Sequence, residues 1–492
     1  MSNESSNNGG NEIGKLVYFD ESAKILYVSK THTFHANVRS HIQQLKEKNG
    51  YSAEIQQVGM DEIDRKRSNA KQTALTVGDS EMQRIAIEIF TKAVGRRASD
   101  IHIRVNFKGN TRIFFRIHND LEQIEEHLSS WGRLLCSAIY MAMCDIADST
   151  YEEHQRQDAR ISARDKLPTG LDGIRVATTP QVDGSVMVLR MLYNDAGKSN
   201  DVRELGYTDN QRRLIALMKR RPTGINIIGG PTGSGKSTTL QRTLLSIHEE
   251  ASGTKHIITV EDPPEYPMPG IVQTPVANAS TEEERSAAFQ AAIKATMRLD
   301  PNVIMIGEMR DGPSVRLAIQ AAMTGHQVWS TVHANSSFAI MDRMVDLGIP
   351  LNIMSDHSIV TGLICQRLLK VLCNHCKKSP DKALSNYTEI DQDRIMGAID
   401  LANACFQGDG CSKCQNSGIS GRTVVAEVLV PDQKIMSLLR QGLKEEATDY
   451  WRTTGGTTML EEAILKINAG LVDPFQAEDE VGPLNLYVKT AV

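Results

Sequence analysis

The chain is short of positive charge: across 492 residues, 55 Lys and Arg stand against 60 Asp and Glu, a formal net charge of −5. That balance gives no overall electrostatic footprint for nucleic acid, although a basic patch can hide inside an average. No nucleic-acid partner is therefore expected. The sequence also lacks a charged-then-apolar leader, which argues against a secretory signal. No apolar run approaches the length of a membrane span. Together these absences predict a cytoplasmic protein with at most a peripheral membrane role. Eight cysteines in a chain this long argue for free thiols or a metal site, not a disulfide framework. No repeat recurs at a fixed period.

The length allows two or three domains. Residues 1–14, mostly Ser, Asn, Gly and Glu, cannot bury a core and read as a disordered leader. Residues 15–75 hold a small α/β unit and linker: a hairpin from Leu16–Phe19 and Ile25–Val28, then a helix through Val38, Ile42 and Leu45 that stops near Gly50. Its polar tail, 61–73, suits a linker or a solvated helix. A second α/β domain spans 76–194, with a helix from Ser80 to Gly95, a hairpin from Ile101–Val105 and Arg112–Ile117, a helix around Trp131–Ile146, and strands near Gly173–Ala177 and Val186–Leu192. Residues 195–205 form the linker to a third domain, 206–492, whose alternating strands and helices predict a mainly parallel sheet covered by helices.

Within that third domain stands Gly230-Pro231-Thr232-Gly233-Ser234-Gly235-Lys236-Ser237-Thr238. It follows the apolar run Ile225–Ile228 and opens a helix, which is the context a phosphate loop requires. Glycines let backbone N–H groups converge on phosphate oxygens, and the helix N-terminus adds its positive end. Lys236 is expected at the β- and γ-phosphates of a nucleotide and Ser237 at Mg²⁺. Two further apolar strands end in acids: Ile257–Val260 in Glu261-Asp262-Pro263-Pro264-Glu265, and Val303–Ile306 in Gly307-Glu308-Met309-Arg310-Asp311. In parallel sheets ligands bind at carboxyl strand ends, so these acids should converge on the nucleotide. They could orient water and hold metal. A third segment, Thr324 to His333, brackets a strand with His326 and His333, either of which could sense a γ-phosphate.

Near the C-terminus, Cys373-x-x-Cys376 and Cys411-x-x-Cys414 form two knuckles suited to tetrahedral zinc. His375 and Cys405 lie near enough in sequence to compete. A fully cysteine-ligated ion has no open position, so the site predicts structure, not catalysis.

The order of these motifs resembles the bacterial secretion ATPases that power type II secretion and type IV pilus assembly or retraction, where they are called Walker A, Asp box, Walker B and His box. Upstream, Ala98-Ser99-Asp100-Ile101-His102, Gln157-Asp158-Ala159-Arg160 and Arg175-Val176-Ala177 with Leu189-Arg190 resemble further family segments, as do Gln366-Arg367-Leu368 and Gly421-Arg422 with Glu427 downstream. The likeness covers about residues 80 to 470. It implies a RecA-like ATPase domain, a PAS-like α/β domain before it, and a zinc-binding insertion at 370–422. It also implies ATP, Mg²⁺ and Zn²⁺ as ligands, a homo-hexameric ring, and an inner-membrane platform protein as partner.

The resemblance further implies arginines that stabilise developing negative charge, and Arg116 and Arg160 match two arginine segments. His118-Asn119 stand where the family has Asp-Gly after the first, and Ala159 where it has glycine before the second. Gly307 occupies the usual Walker B aspartate position, as is normal in the family. Glu308 is the first choice to polarise water, with Glu265 its rival, while Glu261 and Asp262 hold magnesium. The cysteine pairs separate the chain from retraction enzymes, and the tiny N-terminal unit favours pilus assembly. Type II secretion, or a conjugation or DNA-handling ring NTPase, are the alternatives.

Overall fold

The computed structural model describes residues 16–20, 25–31, 33, 38–40, 42–43, 54–145, 150–194, 199–276 and 281–486, with backbone alone for 18–20, 54, 61, 64–80 and 282. The expected leader, Leu45 and Gly50 of the first helix, Ile146, and linker residues 195–198 lie outside this set. Three sheets organise the described residues, and the architecture is α/β.

The first sheet pairs β1 (Val17–Asp20) antiparallel with β2 (Ile25–Ser29), the hairpin read from sequence, and β2 parallel with β3 (Glu54–Val58). A single helix, α1 (Met60–Gly95), then runs through the stretch read as a linker or solvated helix, taking the second of these forms, and on to the expected end at Gly95. That stretch is rich in charged helix formers and contains no proline, so nothing in it stops a helix. The helix serves two cores. Ile63 packs with Tyr27 and Val58, whereas Ile89, Phe90 and Ala93 pack into the second domain. The boundary at 75/76 therefore falls inside one continuous element.

The second sheet is antiparallel throughout, ordered β6 (Asp120–Leu128), β5 (Asn110–Ile117), β4 (Asp100–Asn106), β9 (Gly184–Tyr193), β8 (Leu171–Gln181), β7 (Gln157–Ile161). Its strands alternate buried and exposed residues, as one covered face requires. The cover is α1 together with α2 (Ser129–Ala138), which continues as a π-helical turn through Met143.

The third sheet is the platform of the site. Its order is β12 (Val272–Pro275), β11 (Ile257–Glu261), β13 (Val303–Ile306), β14 (Gln327–Val332), β10 (Gly224–Gly229), β15 (Val360–Leu372), β16 (Ile419–Leu429). Neighbours are parallel except β15 and β16. Central strands are buried at every position, with Ile225 and Ile227 facing one core and Ile228 the other, the continuous apolar pattern of a sheet covered on both sides. All carboxyl ends of β10, β11, β13 and β14 lie at one edge, and the phosphate loop leaves from there.

Candidate active site

At that edge β10 turns through the loop into α4 (Lys236–Glu250), which follows α3 (Asp209–Arg220) in the chain. Gly230, Gly233 and Gly235 have φ of 151°, 81° and 84°, a region L side chains rarely adopt. A Cβ on Gly230 would also meet the Gln366 carbonyl and Ser234 Oγ, each at 2.5 Å. Thr232 to Thr238 line a cleft of about 900 Å³, while Gly230 and Pro231 lie behind it. Lys236 Nζ donates to the carbonyls of Gly230 at 2.8 Å and Pro231 at 3.0 Å. Burial pushes its ammonium below the usual lysine value, with Glu308, Cys365 and Glu265 opposing the shift. Ser234 Oγ is buried without a hydrogen-bond partner. A cradle of glycines, an orphaned hydroxyl and a half-buried ammonium at a helix start fit a nucleotide's phosphates.

The two acidic strand ends meet there. Glu308 is held on both oxygens: His333 Nε2 lies 2.8 Å from Oε1, and Arg310 Nε donates to Oε2 at 2.7 Å. Glu265 and Asp262 line the same cleft, and Asp262 faces Arg285 Nε at 3.7 Å. Glu261 is different. It is buried, accepts from Thr259 Oγ1 at 2.6 Å and Gln273 Nε2 at 2.9 Å, and burial pushes its carboxyl up. Those bonds make it a brace for the strand end, although it lines the cleft as Asp262 does.

His326 is not in the cleft. Parallel pairing sets Gln327 beside Gly224 and Val332 beside Gly229, so His326 sits at the opposite sheet edge from the loop, roughly 20 Å away for a six-residue strand. Its Nδ1 lies 3.0 Å from the Ala321 carbonyl, at the end of the helix Gly312–Met323. Two residues that bracket a strand are held at its opposite ends, and only His333 reaches Glu308.

The facing wall comes from the second sheet. Its register aligns Arg160 with Arg175, Arg175 with Arg190, Arg190 with Asp100, and Asp100 with Arg116. Directly opposed residues share a face, so β7, β8, β9, β4 and β5 carry one cross-sheet row of four guanidiniums and a carboxylate. Asp100 is buried between Arg190 Nε at 3.1 Å and Arg116 Nε at 3.8 Å. Arg175 Nη1 approaches Glu265 Oε1 to 4.0 Å, and its Nη2 donates to the Asp262 carbonyl at 3.4 Å. Arg116, Arg175 and Arg190 line the cleft, whereas Arg160 lies at the outer end of the row and its Nε is buried without a partner. Sequence reasoning selected Arg116 and Arg160 and passed over Arg175 and Arg190. Both stood in quoted family segments, but only strand register puts them in line.

The walls are pinned at one corner. Arg116 Nη1 donates to the Asn119 carbonyl at 2.7 Å, and His118 and Asn119 both take left-handed φ, 50° and 77°. Asn tolerates that region better than most residues, so the departure from Asp-Gly preserves a tight turn. Beyond it Lys370 Nζ pairs with Asp120 at 2.6 Å and Arg422 Nη1 reaches Asn119 Oδ1 at 3.5 Å.

Away from the cleft, at the tip of β15 and β16, Cys373, Cys376, Cys411 and Cys414 bring their sulfurs within 4.8 Å of one another. Three separations are 3.9, 3.8 and 3.7 Å. Zinc–sulfur bonds of about 2.3 Å in a tetrahedron space the sulfurs by about 3.8 Å, so this set fits zinc and is far too open for disulfides. Neither His375 nor Cys405 belongs to the cluster.

The sequence profile of the type II/IV secretion system proteins matches residues 76–481. The chain is 35% identical over 381 residues to type II secretion system protein E of Pseudomonas aeruginosa, covering 77% of this chain and 71% of that one. It is 33% identical over 398 residues to type II secretion system ATPase E of Vibrio cholerae, covering 80% and 74%. The crystal structure of the pilus retraction motor PilT with bound ADP matches at a TM-score of 0.54 and 25% identity, over 80% of this chain and 96% of that one. The ATPase DotB of Legionella pneumophila shares the fold at a TM-score of 0.55 and 20% identity, over 78% and 92%.

Proposed function

Because the chain belongs to the type II/IV secretion system protein family and is an ATP-hydrolysing secretion ATPase, we propose that it is a homo-hexameric motor for type IV pilus assembly. In this reading it acts at the cytoplasmic face of the inner membrane and passes domain motion to a platform protein. The observation that carries the proposal is the cleft itself: phosphate loop, strand-end acids and arginine row face one another across two domains. A ligand bound between two walls is the arrangement by which hydrolysis can move one against the other.

Lys236 and the loop amides hold the phosphates. Glu308 orients the attacking water and accepts its proton, and Glu265 stands as the alternative base. His333 fixes Glu308 and registers loss of the γ-phosphate. Arg116, Arg175 and Arg190 neutralise charge as it develops, while Arg160, at the end of the row, serves an adjoining subunit. Magnesium would be held by the Ser237 hydroxyl and, through water, by Asp262, and would supply charge neutralisation between phosphates. Zinc in the four-cysteine cluster staples the hairpin tip. Cys373→Ser should lower zinc content and thermal stability together, and a variant with neither effect would remove zinc from the account.

The test is ATP turnover against protein concentration, with light scattering to follow assembly, for the wild type and Glu308→Gln. Turnover that rises with a six-subunit species and collapses in the variant supports the motor. Turnover independent of assembly would refute it. Type II secretion is the second reading, favoured by the identity to proteins of that system. Deletion in the host separates the two: loss of surface pili with normal exoprotein release supports assembly, and the reverse supports secretion.

A further inference from the structure

The phosphate loop is held from below by a contact made far away in sequence. Gln366 on β15 is fully buried, and its Nε2 donates to the Ser234 carbonyl at 2.7 Å. Its Oε1 accepts from the Tyr207 hydroxyl at 2.5 Å, a bond across 159 residues. Thr239 Oγ1, in the first turn of α4, lies 3.4 Å from that hydroxyl. The Gln366 carbonyl also lies against Gly230, and its amide against Gly235. One residue therefore lies against the beginning of the loop through its backbone and against the middle and end through its side chain.

Tyr207 itself is fixed from both sides. Gly206 has φ 107°, a Cβ there would meet Thr423 Oγ1 at 2.0 Å, and its carbonyl accepts from Lys466 Nζ at 2.8 Å. Thr208, the next residue, caps α3 in a reciprocal box with Gln211. These constraints fix the backbone on either side of the tyrosine. The amide orientation matters because a flipped Gln366 would set its oxygen against the Ser234 oxygen. The Ser234 carbonyl can only accept, so it selects the orientation in which N–H faces the loop, and the tyrosine hydroxyl then donates to Oε1 and anchors the far side of the amide.

We propose that Tyr207 and Gln366 are positioning residues for nucleotide binding: the hydroxyl anchors the amide, and the amide holds the Ser234 peptide in its phosphate-binding conformation. Neither touches the nucleotide. Apparent affinity scales with the fraction of molecules whose loop is competent, so loosening the relay weakens binding and not chemistry. The proposal rests on nucleotide binding at this loop but not on ring formation or on the machine served.

The experiment titrates a fluorescent ADP analogue into the full chain for wild type, Tyr207→Phe, Gln366→Glu and the double variant, with melting curves taken without nucleotide. Tyr207→Phe removes only the hydroxyl and is expected to raise Kd about tenfold, since it leaves a buried amide oxygen unpaired. Gln366→Glu keeps size but replaces the donor to Ser234, and is expected to raise Kd further. The double variant should bind no worse than Gln366→Glu alone, because one relay is broken once. In turnover the loss should fall on KM, with kcat at saturating ATP within about twofold of wild type. Unchanged Kd with a lowered melting point, independent multiplicative losses, or a fall in kcat at constant KM would each overturn the relay. A wild-type chain that does not bind the analogue would overturn the nucleotide site, and the relay with it.

Discussion

The two walls of the cleft present positive charge by different means. On one side, backbone amides of a single nine-residue stretch are aimed by three left-handed glycines, with one lysine folded over them. On the other, guanidiniums from β8, β9 and β5 project from a flat antiparallel face, aligned by register and separated by one buried aspartate. The first wall is rigid and contiguous. The second is made of long side chains on a separate sheet, which in the motor reading proposed above approaches and withdraws as a unit. A fixed cradle suits ground-state binding, and a movable row of cations suits charge that develops during reaction.

The same contrast explains how much of the site could be read from sequence. The loop, the acids at strand ends and the cysteine knuckles are local patterns whose spacing carries their geometry. The arginine row spans residues 100 to 190 and exists only once five strands are paired. Arg160 was legible as a family match, but its place at the end of the row was not. His326 and His333 looked equivalent because spacing alone does not say which end of a strand meets a ligand. The continuity of α1 was not legible: its polar first half offered no apolar stripe and suited a linker as well as a solvated helix, although helix formers without a proline suffice when each end packs on a different core.

Removing the head of the rigid wall should have the largest effect. Lys236→Ala is expected to lower turnover about 10²–10³-fold with little change in melting temperature, because its present bonds are to its own loop. Turnover near wild type would mean that the amides alone suffice and that the comparison is misdrawn.

On the movable wall, Arg175→Ala should lower kcat by about 10²-fold, and Arg175→Lys should recover little of it. A planar fork spanning Glu265 and the Asp262 carbonyl cannot be matched by a point charge. Full activity in the lysine variant would reduce the row to a general positive field.

Asp100→Asn tests whether the row must be held in line. Asp100 is buried between Arg190 and Arg116 and accepts from Ser99 Oγ at 2.8 Å. Without its charge both arginines lose their anchor, and turnover should fall about fivefold, well below the loss from removing an arginine outright. A loss as large as that of Arg175→Ala would make the aspartate a direct participant.

The smallest effect should come from the corner where the walls touch. His118 is pushed below the usual histidine value by burial and by Arg422 and Lys370, with Asp120 and Glu122 opposing. When the corner separates, the imidazole returns towards its ordinary value near 6.5. The closed corner therefore binds a proton less readily than the open one. Its contact is at full strength above pH 6.5 and weakens as pH falls from there through the lower, closed-state value. Fluorescence transfer between dyes on the two domains, followed from pH 8 to 5, should report opening in mild acid, and His118→Asn should flatten the profile. The neighbouring Lys370–Asp120 pair, being exposed on the Asp side, should contribute about 1 kcal/mol at most and fade with salt. A pH profile that survives in His118→Asn would shift the titration to another group and leave the corner held by that ion pair and the Arg422–Asn119 bond.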